Sequence, residues 1–339
     1  MRLRAGVAID LGTVNTLVCI AGRGLVIEEP SAIAVDRATG NVAAVGWAAD
    51  ALAGKEAQDI DIIHPLSGGV IADLDASAAM LQDFLSQAGL HRGLLRPSAV
   101  VCVPGSANSV QRRSLAAAVG SLRPRCTVRL VEQPVAAATG AGFDLAAGAG
   151  AFIVDIGGGN TEAAVLAGRH VVRARSLRLG GSVMDEAIMH AVKAELGLLI
   201  GRNAARSLKM TLGIAETAAG SVETVGVDAA RRTPRVEQVP GWLVANALEH
   251  SVAAIVNSVQ EMLSDIPPNL AEDVVRGKIR LAGGGALLPG LADRIEAVAG
   301  IPTVVVDDPL RCVVRGAAEI LEHGDNLADS PGRGEAAVR

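Results

Sequence analysis

The amino-acid sequence predicts an α/β fold that occurs twice, as two related lobes. A strand, a glycine-containing turn and a second strand appear near the N-terminus and again about 145 residues later. Such a recurrence is typical of a duplicated supersecondary unit. The 339 residues also exceed what one ordinary hydrophobic core holds, so we expect two lobes rather than one.

The first lobe begins with two apolar runs, residues 7–10 and 17–20, that bracket a Gly-Thr turn and predict a β-hairpin. Beyond it, helical and strand patterns alternate. We predict helices over residues 77–88, 110–119 and 135–141, and strands over residues 99–103 and 127–131.

The second lobe repeats the hairpin pattern over residues 151–156 and 162–166, with glycines between the strands. A later strand, residues 279–282, also precedes three glycines, and residues 286–291 look helical. Residues 216–238 are polar, and we expect a small peripheral β subdomain there. Apolar periodicity predicts further helices over residues 182–195, 204–212 and 246–264.

Composition limits the classes of function. Half of the residues are apolar and a fifth are charged, as in a well-packed globular protein. With three Phe, two Trp and no Tyr, the core must consist of Val, Ile, Leu and Ala, which suits buried parallel strands covered by Ala-rich helices. So few rings and a net charge of −5 argue against nucleic acid as a partner.

Cysteine usage and hydropathy indicate a reducing, aqueous compartment. Cys19, Cys102, Cys126 and Cys312 form no CxxC pair and have no His nearby, so free thiols explain them better than a metal site or disulfides. The sequence contains no apolar run of about 18 residues and no apolar signal core. We expect a cytoplasmic protein with a disordered tail at residues 324–339.

The first turn carries residues that suit phosphate binding. Asp10 ends a strand and is followed by Gly12, Thr13, Val14 and Asn15. Glycine permits close approach of backbone N–H groups to a phosphate, while Thr and Asn add side-chain donors. The second turn repeats this arrangement with Asp155, Gly157, Gly158, Gly159 and Asn160.

Facing each other, the two turns would hold a triphosphate, with Asp10 and Asp155 binding a hydrated Mg²⁺, a hard ion that suits carboxylate and phosphate oxygens. Either cluster alone fits a tight β-hairpin turn equally well. Two copies, with a third glycine cluster at residues 283–285, favour the phosphate interpretation.

The motifs resemble those of a known superfamily. DLGTVNT (10–16), DIGGGNTE (155–162) and AGGGALL (282–288) look like the two phosphate motifs and the adenosine motif of the actin, heat-shock chaperone and sugar kinase superfamily. Within it, the chain resembles the MreB family of filament-forming bacterial actins from Gly6 to about Leu321. Matching stretches include VCVPGSANSVQRRS (101–114), VEQPVAAATGAG (131–142), LGGSVMDEAI (179–188) and GIPTVVVDDPLRCVVRGAA (300–318).

The resemblance implies a duplicated actin-like ATPase fold, with four subdomains around a nucleotide cleft. Lobe I would comprise residues 1–145 and 310–323, with an outer subdomain at about 31–65. Lobe II would comprise residues 146–309, with an outer subdomain at about 182–243. The implied cofactors are ATP and Mg²⁺.

Roles for single residues follow from the same resemblance. Thr13, Val14 and Asn15 would contact the phosphates from one lobe and Gly157 to Asn160 from the other. Gly181 would lie beside the nucleotide. The adenosine side would consist of Gly283, Gly284, Gly285, Ala286 and Leu287, with Arg206 and Lys209 flanking the base and ribose.

Four positions depart from the family pattern. The family usually has two successive Glu where this chain has Glu132 and Gln133, and the second positions water, so we place Glu132, Gln133 and Asp155 at the catalytic centre. Glutamine can orient water but cannot take a proton. The other departures are Asn160 for Thr, Ala282 for Thr, and Arg206 for a Glu that would accept a hydrogen bond from a ribose hydroxyl.

The family also implies a place in the cell. ATP would favour assembly of this protein with itself into paired filaments at the inner face of the cell membrane, alongside cell-wall synthesis and shape proteins. Leu94 and Leu95, with cationic neighbours, lie in the loop where some relatives insert apolar side chains into lipid, which suits an interfacial anchor. Alternatively, both leucines fold back onto the core.

The sequence favours a cytoskeletal ATPase that binds ATP–Mg²⁺, assembles and hydrolyses slowly. A metabolic kinase would need a substrate pocket, and the match to MreB outside the nucleotide motifs argues against one. A chaperone would need a peptide-binding domain after the ATPase lobes. A scaffold that binds nucleotide without productive hydrolysis stays open because of Gln133 and Arg206.

Overall fold

The computed structural model describes residues 6–54, 59–90, 98–122, 127–214 and 220–323. One large sheet in this part of the chain consists of β1 (Gly6–Leu11), β2 (Asn15–Ile20), β3 (Gly24–Pro30), β9 (Ser98–Val103) and β10 (Thr127–Glu132). Its order is β10-β9-β1-β2-β3. The strands β1, β2 and β3 are antiparallel neighbours, whereas β9 and β10 are parallel to β1.

A second large sheet has the same plan. Its strands are β11 (Gly150–Ile156), β12 (Thr161–Ala167), β13 (His170–Leu177), β17 (Ile279–Ala282) and β18 (Thr303–Val305), in the order β13-β12-β11-β17-β18. Again an antiparallel meander is followed by two parallel strands. The repeated topology confirms the predicted duplication, while the exact lobe and subdomain boundaries stay a prediction.

Three smaller sheets of the described residues come from chain segments that are inserted between the strands of the two large sheets. The first lobe adds β4 (Ile33–Asp36), β5 (Val42–Val45) and β6 (Ile60–Ile63), and a short hairpin of β7 (Leu66–Ser67) and β8 (Val70–Ile71). The second adds β14 (Leu198–Leu199), β15 (Ser221–Asp228) and β16 (Pro234–Pro240). This last sheet is the peripheral β structure that the polar segment predicted.

The helices of the described ranges cover the sheets. They are α1 (Trp47–Asp50), α2 (Leu74–Gln87), α3 (Ser109–Gly120), α4 (Gln133–Gly140), α5 (Gly181–Leu196), α6 (Arg202–Leu212), α7 (Gly241–Ser264), α8 (Pro268–Gly277), α9 (Leu291–Ala299) and α10 (Cys312–Glu322). Apart from the helix predicted over residues 286–291, the predicted helices and strands are present, and most ends agree within a few residues. Two differ in ways that matter: α4 begins at Gln133, and α7 begins at Gly241.

The prediction of a helix over residues 286–291 is wrong. A 3₁₀ turn spans Gly284–Leu287, Leu288 is extended, and Gly290 is left-handed with φ 88° before α9 starts at Leu291. Pro289 explains the break, because the residue before a proline is disfavoured in the α conformation.

Two helices that meet through small residues join the lobes. The helices α4 and α10 pack against each other and share one apolar core with both large sheets, including Ala137, Ile153 and Val313. A Cβ atom on Gly140 would lie 3.0 Å from Gly316 N, so glycine is required at this crossing. The Ala-rich pattern of α4 therefore reflects a close helix pair at the floor between the sheets.

Each lobe also has its own aliphatic core, with Phe84 fully buried in the first and Phe152 in the second. Three of the four thiols, Cys19, Cys102 and Cys312, are buried and free; Cys126 and the tail at 324–339 lie outside the described residues. Among the helices that the structure describes, none has the length and apolarity to cross a bilayer.

Candidate functional site: a cleft between two glycine turns

The two glycine turns have the same hydrogen-bond geometry. In the turn between β1 and β2, Gly12 N–H donates to the Asn15 carbonyl at 3.1 Å. In the turn between β11 and β12, Gly157 N–H donates to the Asn160 carbonyl at 2.9 Å. Both are therefore tight hairpin turns, and each follows directly from a strand that carries an aspartate near its end.

These turns face each other across the gap between the lobes. A Cβ atom on Gly158 would lie 2.8 Å from Val14 Cβ, and one on Gly159 would lie 2.8 Å from Thr13 Cβ. Gly69 N–H donates to Thr13 Oγ1 at 2.8 Å. Only glycine permits so close an approach. Gly158 and Gly159 therefore allow the second turn to pack against the first, in addition to forming the turn itself.

A cavity of about 330 Å³ opens beside the turns, large enough for a small-molecule ligand. Most residues singled out from the sequence line it: Asp10, Gly12, Thr13, Val14, Asn15, Gln133, Asp155, Gly157, Gly158, Asn160, Gly181, Arg206, Lys209, Gly283, Gly284, Gly285 and Leu287. Gly159, Ala286 and Glu132 are outside that lining. Lining residues that sequence reasoning missed include Gly69, Ser182, Asp185, Met210 and Leu310.

Glu132 lies away from the cavity. Its carboxylate is 2.8 Å from Arg112 Nη2 on α3, and both side chains are about one-third exposed. The next residue, Gln133, points the other way because β10 ends at Glu132 and α4 begins immediately after it. This change of direction gives the two neighbouring residues different surroundings.

Gln133 is buried on the cavity wall, 6% exposed. Its Nε2 lies 3.5 Å from Asp10 Oδ1, at the limit of a hydrogen bond. Its Oε1 is buried and has no hydrogen-bond partner in the described structure. A buried acceptor without a partner is costly, so this oxygen is suited to accept a hydrogen bond from a ligand or water in the cleft.

The two predicted metal-binding aspartates lie at the floor of the cavity. Burial raises the pKa of Asp10 to about 6, against a hydrogen bond from Gln133. Burial raises the pKa of Asp155 to about 8, and repulsion from Asp10 and Glu162 adds to the effect. Two buried carboxylates that repel each other are arranged as they would be around a divalent cation, which would favour their charged forms.

The opposite wall contains an ion pair that the sequence analysis did not include. Asp185 on α5 is 1% exposed, and its Oδ1 is 2.7 Å from Lys209 Nζ on α6. Lys209 also donates to the Gly181 carbonyl at 2.9 Å, while Arg206 Nε lies 3.8 Å from Asp185 Oδ2. The available sequence signal was an acidic residue on the buried face of α5, next to Met184.

The third glycine segment reaches the same place through sheet pairing. Strand β17 runs parallel to β11 with Ala282 beside Asp155, so Gly283 to Gly285 follow at the cavity edge. A Cβ atom on Gly284 would lie 3.0 Å from Leu310 Cδ2. Leu94 and Leu95, predicted as a membrane contact, lie outside the described residues.

Comparisons with known proteins match one family over almost the whole chain. A family model described as MreB/Mbl protein matches residues 4–329. Cell shape-determining protein MreB of Escherichia coli (strain K12) is 40% identical over 332 residues, which covers 94% of this chain and 95% of that protein.

Solved structures give the same result. The crystal structure of MreB5 of Spiroplasma citri bound to ADP superposes with a TM-score of 0.88 at 29% identity, over 95% of this chain and 97% of that one. Its AMPPNP-bound structure gives a TM-score of 0.89 with the same coverage.

Proposed function

Because the chain belongs to the MreB/Mbl family, we propose that it is an ATP-binding actin homologue that polymerises into filaments and helps to determine cell shape. The observation that carries this proposal is the pair of turns with the same hydrogen-bond pattern, which meet at Val14 and Gly158 beside the cavity. Successive backbone N–H groups of such turns form anion-binding concavities. The nucleotides bound to MreB5 of Spiroplasma citri support the same ligand class.

The phosphates would lie between the two turns. Thr13 and Asn15 would donate from one lobe, and the backbone of Gly157 to Asn160 from the other. The adenosine would extend along Gly283 to Leu287. Its sugar would approach Arg206 and Lys209, where the ion pair with Asp185 leaves Arg206 42% exposed and free to donate to an oxygen of the ligand.

Mg²⁺ would be held by Asp10 and Asp155, through water. No third His, Cys, Asp or Glu of the described residues joins them, and Mg²⁺ commonly retains waters and phosphate oxygens as its other ligands. When bound, the ion would neutralise charge on the phosphate oxygens. The aspartates would position it and, in doing so, become stably ionised.

Gln133 would position the attacking water. Its free Oε1 can accept one hydrogen bond from that water while Nε2 stays directed at Asp10, which fixes the orientation of the amide. Since an amide takes no proton, Gln133 would contribute by positioning the water and not as a base. We therefore expect slow hydrolysis, accelerated when assembly closes the lobes.

We further propose that the filaments act at the inner face of the membrane and guide cell-wall synthesis. A role in cell shape is in keeping with the name of the cell shape-determining relative. Membrane contact would come from Leu94 and Leu95. A single subunit would bind weakly, because burying two leucines contributes roughly 3–5 kcal/mol at most. A filament would bind strongly through many such contacts.

A second candidate is a scaffold that binds nucleotide but does not hydrolyse it productively. Gln133 and Arg206 favour it, since one lacks a basic oxygen and the other lacks an acceptor for the ribose. The two candidates differ in whether phosphate is released from assembled protein.

Sedimentation with light scattering tests the proposal. Assembly with ATP–Mg²⁺ and less assembly with ADP or no nucleotide is the expected result, with slow phosphate release. Assembly that is equal in all three conditions would favour the scaffold. No assembly at any concentration, with rapid turnover of a small substrate, would contradict both.

A further inference from the structure

Glu162 is a buried carboxylate that reaches from one lobe to the other. It belongs to β12 and is 3% exposed. Its Oε2 accepts from Gly105 N–H at 3.1 Å, and its Oε1 lies 3.5 Å from Ser106 N and 3.4 Å from Ser106 Oγ. Both donors lie in the loop between β9 and α3, in the first lobe.

The second lobe holds the same carboxylate in place. Glu162 is the cross-strand neighbour of Asp155 on β11 and of Ser176 on β13. The hydrogen bonds from Gly105 and Ser106 favour the charged form of this carboxylate, whereas its burial raises its pKa. Glu162 is therefore fixed on the strand that follows the second glycine turn and is bonded to the facing lobe.

The loop that Glu162 holds lies beside the start of α4. A Cβ atom on Gly105 would lie 3.8 Å from Glu162 Oε2 and 3.8 Å from Pro134 Cγ. Pro134 follows Gln133, the residue proposed to orient water. The loop itself is firmly structured, because Ala107 N–H donates to the Pro104 carbonyl and Asn108 caps α3 together with Gln111.

The hydrogen bonds from Glu162 to the Gly105–Ser106 loop, and the position of that loop beside Pro134, connect β12 of the second lobe with the start of α4. When the second glycine turn approaches the first, Glu162 must move with β12. Its bonds to Gly105 and Ser106 then fix the loop against Pro134. Loss of the carboxylate would leave the half-buried Gly105 N–H and the Ser106 donors without their partner and remove this polar connection between the lobes.

We propose that Glu162 is a positioning residue that latches the two lobes in the closed arrangement, retaining nucleotide and holding Gln133 at the phosphate site. This inference rests on the proposed nucleotide binding. It assigns to Glu162 no contact with the nucleotide, and its effect passes through Gly105, Ser106 and Pro134.

The test is the dissociation rate of a fluorescent ATP analogue with Mg²⁺, measured by stopped-flow displacement, together with single-turnover phosphate release. The variants are Glu162→Ala, Glu162→Gln and Ser106→Ala. Glu162→Ala should speed dissociation about 10-fold or more, since charge-assisted hydrogen bonds are lost. Glu162→Gln should retain part of the slow release, and Ser106→Ala should have a smaller effect in the same direction.

Two further measurements distinguish a latch from a general structural role of Glu162. Phosphate release per bound nucleotide should slow in Glu162→Ala and recover partly in Glu162→Gln. Ser106→Ala should have little added effect in the Glu162→Ala background, because the two residues share one interaction. Melting temperatures recorded in parallel identify any variant that fails to fold, and the mild Ser106→Ala and Glu162→Gln variants still decide the question.

Wild-type dissociation rates in all three variants, with the wild type binding the analogue, would overturn the latch and leave the proposed function intact. Failure of the wild type itself to bind the analogue would instead contradict the proposed function, and the latch with it.

Discussion

The side-chain amide of Gln133 faces the Asp10 carboxylate, with Nε2 3.5 Å from Oδ1, and its own Oε1 is left without a partner in the described structure. One end of the amide is thus directed at Asp10, while the buried oxygen at the other end has no partner among the described residues. Glu132, the preceding residue, pairs with Arg112 outside the cavity. Of the two, only Gln133 is oriented to act on a ligand.

Replacing Gln133 therefore tests the hydrolysis step. Gln133→Ala should leave ATP affinity nearly unchanged, slow phosphate release by at least about 10-fold, and lengthen filament lifetime. Gln133→Glu should hydrolyse at least as fast as the wild type, since it supplies a carboxylate at the same position. Phosphate release at the wild-type rate from assembled Gln133→Ala would show that another residue positions the water.

The buried pair of Asp185 and Lys209 predicts a large effect on stability. Asp185→Ala leaves the Lys209 ammonium, 7% exposed, without its anionic partner. We expect the free energy of unfolding in urea to fall by about 3–5 kcal/mol. Glu249→Ala is the control because its pair with Arg294 is half exposed, and we expect a change of about 1 kcal/mol or less. Equal effects of the two substitutions would contradict the burial of the Asp185 pair.

The aspartates at the cavity floor predict a dependence of stability on pH. The pKa is raised to about 6 for Asp10 and about 8 for Asp155, whereas the pKa of an aspartate in an unfolded chain is about 3.9. The folded chain then binds more protons than the unfolded chain between these values, so stability falls as the pH rises from about 4 toward 8. Protein stripped of nucleotide and Mg²⁺ should melt at a lower temperature at pH 8 than at pH 6.

Asp155→Asn should reduce that difference, and Asp59→Asn, at an exposed position, should not. Adding ATP–Mg²⁺ at pH 8 should raise the melting temperature of the wild type more than that of Asp155→Asn. A wild-type protein that is equally or more stable at pH 8 without ligand would contradict the burial of these carboxylates.

Leu94 and Leu95 predict the membrane contact. The double variant Leu94→Ser/Leu95→Ser should co-sediment less with anionic liposomes than the wild type under assembling conditions. Each subunit then lacks the two leucines that we propose to insert into lipid. Sedimentation without liposomes controls for assembly. If both proteins assemble equally and pellet equally with lipid, the loop is not the anchor.

The sequence predicted the parts of the site that depend on local pattern. Asp10 and Asp155 each end an apolar strand before glycines, and a strand end fixes where such a side chain and the following turn must lie. The duplication then predicted that the two turns are equivalent, and the hydrogen bonds at Gly12 and Gly157 agree.

The remaining features depend on contacts between distant segments. Asp185 meets Lys209 only because α5 and α6 pack together, and Gly69 meets Thr13 across 56 positions of the chain. Glu162 looked like part of the second turn motif, yet its partners are in the other lobe. The helix predicted over residues 286–291 is wrong because its apolar pattern is interrupted by Pro289, before which the α conformation is disfavoured.

The central claim is that ATP–Mg²⁺ binds between the two glycine turns, and equilibrium binding of a fluorescent ATP analogue tests it most directly. Gly158→Val would insert a side chain where Val14 already lies, and Asp155→Ala removes one of the two carboxylates. Gly120→Val is the matched control, since a Cβ atom there has no neighbour within 4 Å. The account predicts tight binding by the wild type and Gly120→Val, and loss of binding by Gly158→Val and Asp155→Ala while both remain folded. Undiminished binding by both of these variants would contradict it.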